Sequence, residues 1–378
     1  MSDFISRAEA ISRSVLVTHA GDVDKQARWP AESIDAIKTN GLLGLVVPTS
    51  HGGAGQGPRV FAGVMTKLAE GCASTAMIYL MHTCGTAVVI AANMFTGRDR
   101  VLKDIAAGKH LSTLAFSEKG SRSHFWAPVS QAVANGDGYR ITADKSWVTS
   151  AGHADGYVAS TRTADAAAST ASTLYFVPKG AAGMSVAGPW TGLGLRGNAS
   201  APMKFDNVAV TAADRMCNEG EGFTAMLNVG LPLFQLGSAA VSVGISRSAV
   251  SAVRSHLLEA KLEHMGEALA SLPNLRAQLA RMQIMTDAQD AFLDHVAGKM
   301  ENPQPDTLLA VLESKASANE AALAVTDLAM RTCGGTAFSG RLSVERNFRD
   351  ARAGSVMAPT TDVLYDFVGK AVLGLPLF

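Results

Sequence analysis

Apolar residues recur with two different periods along this chain, and the change of period divides it in three. From residue 1 to about 112 the spacing is helical. Ile5, Ala8, Ile11, Val15 and Val17 form one stripe, and Trp29-Pro30 opens a second helix carrying Ile34, Ile37 and Leu42. Gly41 to Pro48 breaks that helix, and His51-Gly52-Gly53-Ala54-Gly55 makes a glycine-rich loop without the spacing of a phosphate-binding motif. Helices are expected over 58–70, 73–95 and 97–107. The second is apolar nearly all round, so it reads as buried, and His82 and Cys84 on it read by default as satisfied core side chains.

Between residues 113 and about 210 the period shortens to that of strands. Strands are expected over 112–117, 129–134, 139–142, 145–149, 156–162, 172–178 and 203–210, with a small-residue loop from Ala164 to Thr170. Asn135-Gly136-Asp137-Gly138 is a hairpin turn that supplies positive φ cheaply. Short strands at this spacing make an antiparallel barrel or a sandwich. A flat ring bound at Lys145 to Ser150 would have Trp147 to pack on and Thr149 and Ser150 as donors; the same residues also read as a barrel core with solvated strand ends.

From Asp214 the helical period returns. Phe223 to Leu258 reads as one apolar helix broken near Pro232. Ala260 to Lys299 reads as a second, with Leu275, Leu279, Met282 and Met285 inward, and a third runs from Pro305-Asp306 to about Arg331, ended by Gly334-Gly335. Arg341 to Arg352 reads as a charged turn, and Thr361 to Leu373 as a last short helix.

Composition narrows the picture. The 378 residues suffice for two or three domains, and 33 basic residues balance 33 acidic ones, so neither nucleic acid nor an anionic membrane is an expected partner. Cys72, Cys84, Cys217 and Cys333 are scattered without a CxxC pair, which argues against a zinc site or disulfide scaffold and fits a reducing, cytoplasmic setting. The start, MSDFISRAEAISRSV, lacks the apolar core of a signal peptide, and no uncharged run is expected to reach the roughly 20 residues of a membrane span.

Six local sequences, in order and at fitting separations, resemble the acyl-CoA dehydrogenase family from end to end. Leu42 to Gly55 resembles its early loop, and Ser117 to Ser123 its T-E-P-x-A-G-S segment. Lys145 to Ser150 resembles K-x-W-I-T-N, and Gly194 to Ser200 resembles G-x-R-x-S. Cys333 to Phe338 and Val344 to Arg352 resemble Y-G-G-x-G-Y and V-E-R-x-x-R-D-A. The resemblance implies an α+β multidomain fold: a helical domain (1–112), an antiparallel β-barrel (113–211) and a four-helix bundle (212–378). It also implies FAD where barrel meets bundle, an acyl-CoA substrate, and a homodimer or homotetramer. Phe116 and Ser117 would line the flavin, Trp147 would pack on its ring, and Thr149 would bond near N5. Gly334 and Gly335 would approach the pyrophosphate, at the adenine end that reaches a neighbouring subunit; Thr360 and Asp362 would lie beside the cofactor, and Ser123 on the substrate side.

The chain departs from that pattern where the family keeps its base. The glutamate of Y-E-G-T becomes Ala358, which accepts no proton, and the alternative Glu-Arg pair on the first bundle helix becomes Phe234-Gln235. The R-x-x-F-G arginine is also gone from Lys261 to Gly266, and Arg331 is the expected substitute cation. These changes point to a flavin-dependent oxygenase acting on a CoA thioester, with His82, His124 and Ser123 as donors or proton shuttles. A divergent α,β-desaturating dehydrogenase with a non-standard base is the alternative.

Overall fold

The computed structural model describes residues 2–377 except 165, 167 and 169, so part of the Ala164–Thr170 loop lies outside the described residues. Six α-helices come first: Asp3–Ile11 (α1), Val17–Gln26 (α2), Ala31–Thr39 (α3), Pro58–Gly71 (α4), Ala73–Ala91 (α5) and Arg98–Ala106 (α6). A π turn, Ser12–Leu16, joins α1 to α2. Its extra residue rotates the chain, so Leu16 is buried and Val17, expected on the stripe, is 56% exposed. The all-round apolar α5 is buried along most of its length, as its sequence requires.

The middle strands are Ser112–Ala115 (β1), Val133–Asn135 (β2), Gly138–Val148 (β3), Gly156–Arg162 (β4), Ser172–Pro178 (β5), Met184–Val186 (β6) and Ala201–Thr211 (β7). They divide into two sheets, β1-β4-β5 and β2-β3-β7-β6. Inward residues of both, among them Ile141, Tyr157, Tyr175 and Phe205, share one core. Single bridges at Glu118–Lys145 and Gln131–Arg162 link the sheets. One pairing corrects the antiparallel expectation: β1 runs parallel to β4. The strand expected over 129–134 shrinks to β2, because the N–H groups of Val129 and Ser130 donate to the Glu118 carboxylate. The two strands expected over 139–149 are one, irregular between Lys145 and Val148. There Trp147 takes a φ of 56° and turns outward, 66% exposed.

The C-terminal helices are Gly222–Ala225 (α7), Leu231–Glu259 (α8), Pro273–Glu301 (α9), Thr307–Phe338 (α10), Val344–Val356 (α11) and Thr361–Val372 (α12). A π turn, Met226–Gly230, carries α7 into α8. It loosens the ladder just where Pro232 has no N–H to give, so the helix runs through instead of breaking. Residues 260–272 are not helical: Lys261–Leu262 (β8) and Glu267–Ala268 (β9) form a small hairpin before α9. The charged run at 341–352 is not a turn but mostly α11, whose inner face buries Val344, Asn347 and Ala351. Helix α10 continues past Gly334, which alone leaves helical geometry (φ 53°, ψ −136°). Helices α4, α8, α9 and α10 pack together, and a Cβ at Gly244 would lie 2.6 Å from the Thr66 carbonyl oxygen, so only glycine lets α8 approach α4.

Two helices do exceed the apolar length expected, α5 and the joined α7–α8. Their most apolar windows are 83% and 78% buried within the protein, as core helices are. All four cysteines are buried and unpaired.

Candidate active site

Where the sheets meet the bundle, a cavity of about 590 Å³ opens between β1, β3, α5, α8 and the segment joining α11 to α12. Three of its walls are held by buried polar groups behind them.

The first wall is the loop after β1. Glu118, within it, points away from the cavity and is buried with Lys145 of β3, Nζ to Oε1 2.6 Å. Lys145 also donates to the Ser160 carbonyl, and Glu118 accepts from the amides of Val129 (2.8 Å) and Ser130 (2.6 Å) and from the Ser130 hydroxyl. Burial alone would raise the Glu118 carboxyl, but the Lys145 ammonium and the Ser130 donors outweigh it and hold it below its ordinary value. Ser121 Oγ closes the turn by donating to the Glu118 carbonyl.

The second wall is the segment 354–359. Lys315, fully buried on α10, donates to the carbonyls of Gly354 (3.2 Å), Met357 (3.1 Å) and Pro359 (2.7 Å). Among the described residues no carboxylate faces it, and burial pulls its amine down to about 7. Its Nζ lies 5.9 Å from the centre of the Phe234 ring.

The third wall is the 190–200 segment. The Leu195 amide donates to the buried Asp350 carboxylate, 2.7 Å, and burial pushes that carboxyl up to about 6. The neighbouring Arg349 is 2.9 Å from Asp24 of α2. The motif that includes Arg349 and Asp350 thus ties the cavity to the N-terminal helices.

Six of the twelve expected site residues line this cavity: Phe116, Ser117, Ser123, Trp147, Thr149 and Thr360. Thr149 and Ser200 share a hydrogen bond of 2.8 Å between their hydroxyls. One proton satisfies that bond, so the pair keeps the other to donate to a ligand. Ser123 Oγ accepts from the Thr360 amide at 3.1 Å and likewise keeps its own proton. Trp147 meets Trp190 edge-on, 5.8 Å between ring centres.

The other six lie elsewhere. His82 is sealed in α5: Nδ1 accepts from the Ser112 amide and Nε2 donates to the Leu43 carbonyl, both 3.0 Å. Burial takes its pKa down to about 4, so it is a neutral link between α5 and β1. His124 packs against Trp126 and, with Asp362, borders a separate shallow groove. Arg331, Gly334 and Gly335 sit exposed on α10, outside the cavity lining. Ser150 Oγ is buried without a partner and also off the lining.

Both positions where the resemblance puts a catalytic carboxylate, Ala358 and Phe234, do line the cavity. Among the described residues no Asp, Glu or His lines it, and the one ionisable side chain there is Arg122. Sequence reading missed Arg122 because the matching segment has glycine at that place; the charge itself was the available signal.

Three descriptions of one family match the chain: "Acyl-CoA dehydrogenase, N-terminal domain" over residues 2–109, "middle domain" over 113–208 and "C-terminal domain" over 220–373. The chain belongs to the acyl-CoA dehydrogenase family. Among the relatives of this acyl-CoA dehydrogenase homologue is cyclohex-1-ene-1-carbonyl-CoA dehydrogenase of Geobacter metallireducens, 26% identical across 95% of this chain and 94% of that protein. Probable acyl-CoA dehydrogenase fadE25 of Mycobacterium leprae is also 26% identical, over 96% and 93%. The solved butyryl-CoA dehydrogenase of Megasphaera elsdenii superposes with a TM-score of 0.93 at 21% identity, covering 99% of each chain. The family's cofactor is FAD. The residues here fit such a group: an exposed indole in costly left-handed backbone, apolar side walls, and a hydroxyl pair with a proton to give.

Proposed function

We propose that this protein is an FAD-dependent oxygenase of the acyl-CoA dehydrogenase family, acting on a CoA thioester. The observation that carries the proposal is a cavity whose two base positions are Ala358 and Phe234 and whose lining offers no carboxylate or imidazole. Desaturation of a thioester needs a base poised over the α-carbon; an apolar wall leaves that C–H bond intact. Bound here, FAD supplies the redox chemistry, exchanging a hydride and, when reduced, passing electrons to dioxygen. In overall balance one oxygen atom enters the substrate and the other leaves as water, with two electrons from an external reductant.

The chain's own residues bind, orient and dry the site. Trp147 would pack on the flavin ring, Phe116 and Ser117 would line it, and the Thr149–Ser200 pair would donate to it. Ser123 donates its free proton on the substrate side. Met77, Met81, Leu114, Phe125 and Phe234 exclude water. Gly334, Gly335 and Arg331, together with the 84% exposed Phe338, face outward and serve the adenine end of FAD across a homodimer or homotetramer contact. Arg331→Ala should then weaken FAD binding, and unchanged affinity would remove Arg331 from the site.

The names of the relatives favour the second reading, desaturation. One experiment separates the two. If oxidised protein mixed anaerobically with a panel of acyl-CoA thioesters loses its flavin colour and yields a 2-enoyl product, the oxygenase reading fails. If only the reduced protein, given substrate and then labelled dioxygen, forms labelled product, desaturation fails.

A further inference from the structure

The cavity that lacks an acid keeps one permanent charge, and nothing in the chemistry above uses it. Arg122 lines the cavity from the loop after β1, with its backbone in the left-handed region at φ 54°. Glycine holds that conformation at no cost; arginine does not, so the side chain is retained there against a local penalty. Among the described residues Arg122 has no acidic neighbour within ion-pairing distance and makes no hydrogen bond with its guanidinium. The acid nearest in sequence, Glu118, is turned into the protein and satisfied by Lys145, Val129 and Ser130. The cation therefore stands exposed at the cavity edge with no acidic partner among the described residues.

Its backbone is fixed from both directions. Ser121 closes the turn before it onto the Glu118 carbonyl, and Ser123 after it takes the Thr360 amide. The backbone amides of Arg122 and Ser123 find no acceptor among the described residues. The guanidinium fork of the exposed Arg122 thus stands at one edge of the cavity beside the free Ser123 proton. That donor set has no acceptor and matches the fork geometry of a phosphate.

We propose that Arg122 is the anion-recognising residue of this cavity and that it binds a phosphate group of the dinucleotide or CoA-type ligand seated there. The assignment rests on the reading of the cavity as a site for FAD and a CoA thioester, but not on whether oxygen is used. It also provides, within one chain, an arginine that the hairpin at 261–268 lacks. The shared chemistry is a phosphate diester or monoester oxyanion, and two ligands carry it: the FAD diphosphate and the phosphates of CoA.

The test is Arg122→Gly, because glycine relieves the left-handed strain while deleting the charge. Its melting temperature is expected to equal or exceed that of the wild type, so a loss of binding cannot be ascribed to misfolding. One arm titrates FAD into apoprotein and follows flavin fluorescence; the other titrates CoA into FAD-loaded protein. A tenfold or greater loss in the FAD arm, with a flatter dependence on salt, assigns Arg122 to the cofactor diphosphate. The same loss confined to the CoA arm assigns it to the substrate phosphates, and Arg122→Lys should recover part of either loss. Affinities within twofold of wild type in both arms overturn the proposal. Wild-type protein that binds neither FAD nor CoA overturns the reading of the cavity, and the proposal with it.

Discussion

Two lysines are buried side by side with the cavity walls they secure, and they are secured in opposite ways. Lys145 meets a carboxylate, and the pair together fastens the loop 117–130 through both members' hydrogen bonds. Lys315 meets only carbonyl oxygens, three of them, and fastens the segment 354–359. The first wall stands on a charge pair that cannot lose one partner. The second stands on dipoles, which the lysine meets without any counter-charge beside it. The difference shows how a cavity stripped of acids on its inner surface is still built by ionic groups on the outer side of its walls.

Breaking the charge pair should have the largest effect. Glu118→Gln leaves the Lys145 ammonium buried without a counter-charge, and a loss of about 3–5 kcal/mol is expected in urea unfolding. Adding Lys145→Met should return much of that loss; if the double variant is no better than the single one, the pair is not what fastens the loop. Lys315→Met comes next, at about 3 kcal/mol, roughly 1 kcal/mol for each carbonyl left without its donor. It leaves no orphan charge, so it should cost less than Glu118→Gln.

The pH dependence sharpens the contrast. The folded value of Lys315, about 7, lies below its ordinary 10.5, so over that interval the unfolded chain holds a proton that the folded chain does not. Stability from this group is complete above about pH 10.5 and is lost as pH falls through 7. The penalty of Lys315→Met should therefore grow between those limits by at most about 1.4 kcal/mol per pH unit. Glu118, held below its ordinary value of 4.5, acts in the acid range instead: its stabilisation is present above that value and is lost as pH falls beneath it. Unfolding curves of both variants across pH would show the two windows, and overlapping windows would refute the contrast. The smallest effect, about 1 kcal/mol, is expected for Ser130→Ala, which removes one hydroxyl bond and leaves the ion pair and the amide bonds intact.

The sequence showed its fold wherever local pattern and packing agree. Strands β4 and β5 fall at the residues their apolar runs mark, because both are buried along most of their length. The pattern misled where a distant side chain decides the backbone. A strand is expected over 129–134, but Glu118 claims the amides of Val129 and Ser130. Arg341 to Arg352 reads as a charged turn, yet its acids and bases have fixed partners, Asp350 with the Leu195 amide and Arg349 with Asp24, and most of it is helix α11. The site shows the same division. Residues in contiguous motifs, such as Trp147 and Thr149, do reach the cavity, Trp147 from the bulge at the end of β3 and Thr149 from the turn that follows it. Histidines chosen for their chemistry did not: His82 is held by Leu43 and Ser112, and His124 packs tilted against Trp126.

The bulge in β3 has an optical consequence. By turning Trp147 out of its sheet and against Trp190, it sets two of the chain's four indoles at the mouth of the cavity. A ligand that fills the cavity lies against them, so the protein carries its own fluorescent reporter of occupancy. A Trp147→Phe substitution should remove most of the emission change on filling, and needs no dye or tag to observe.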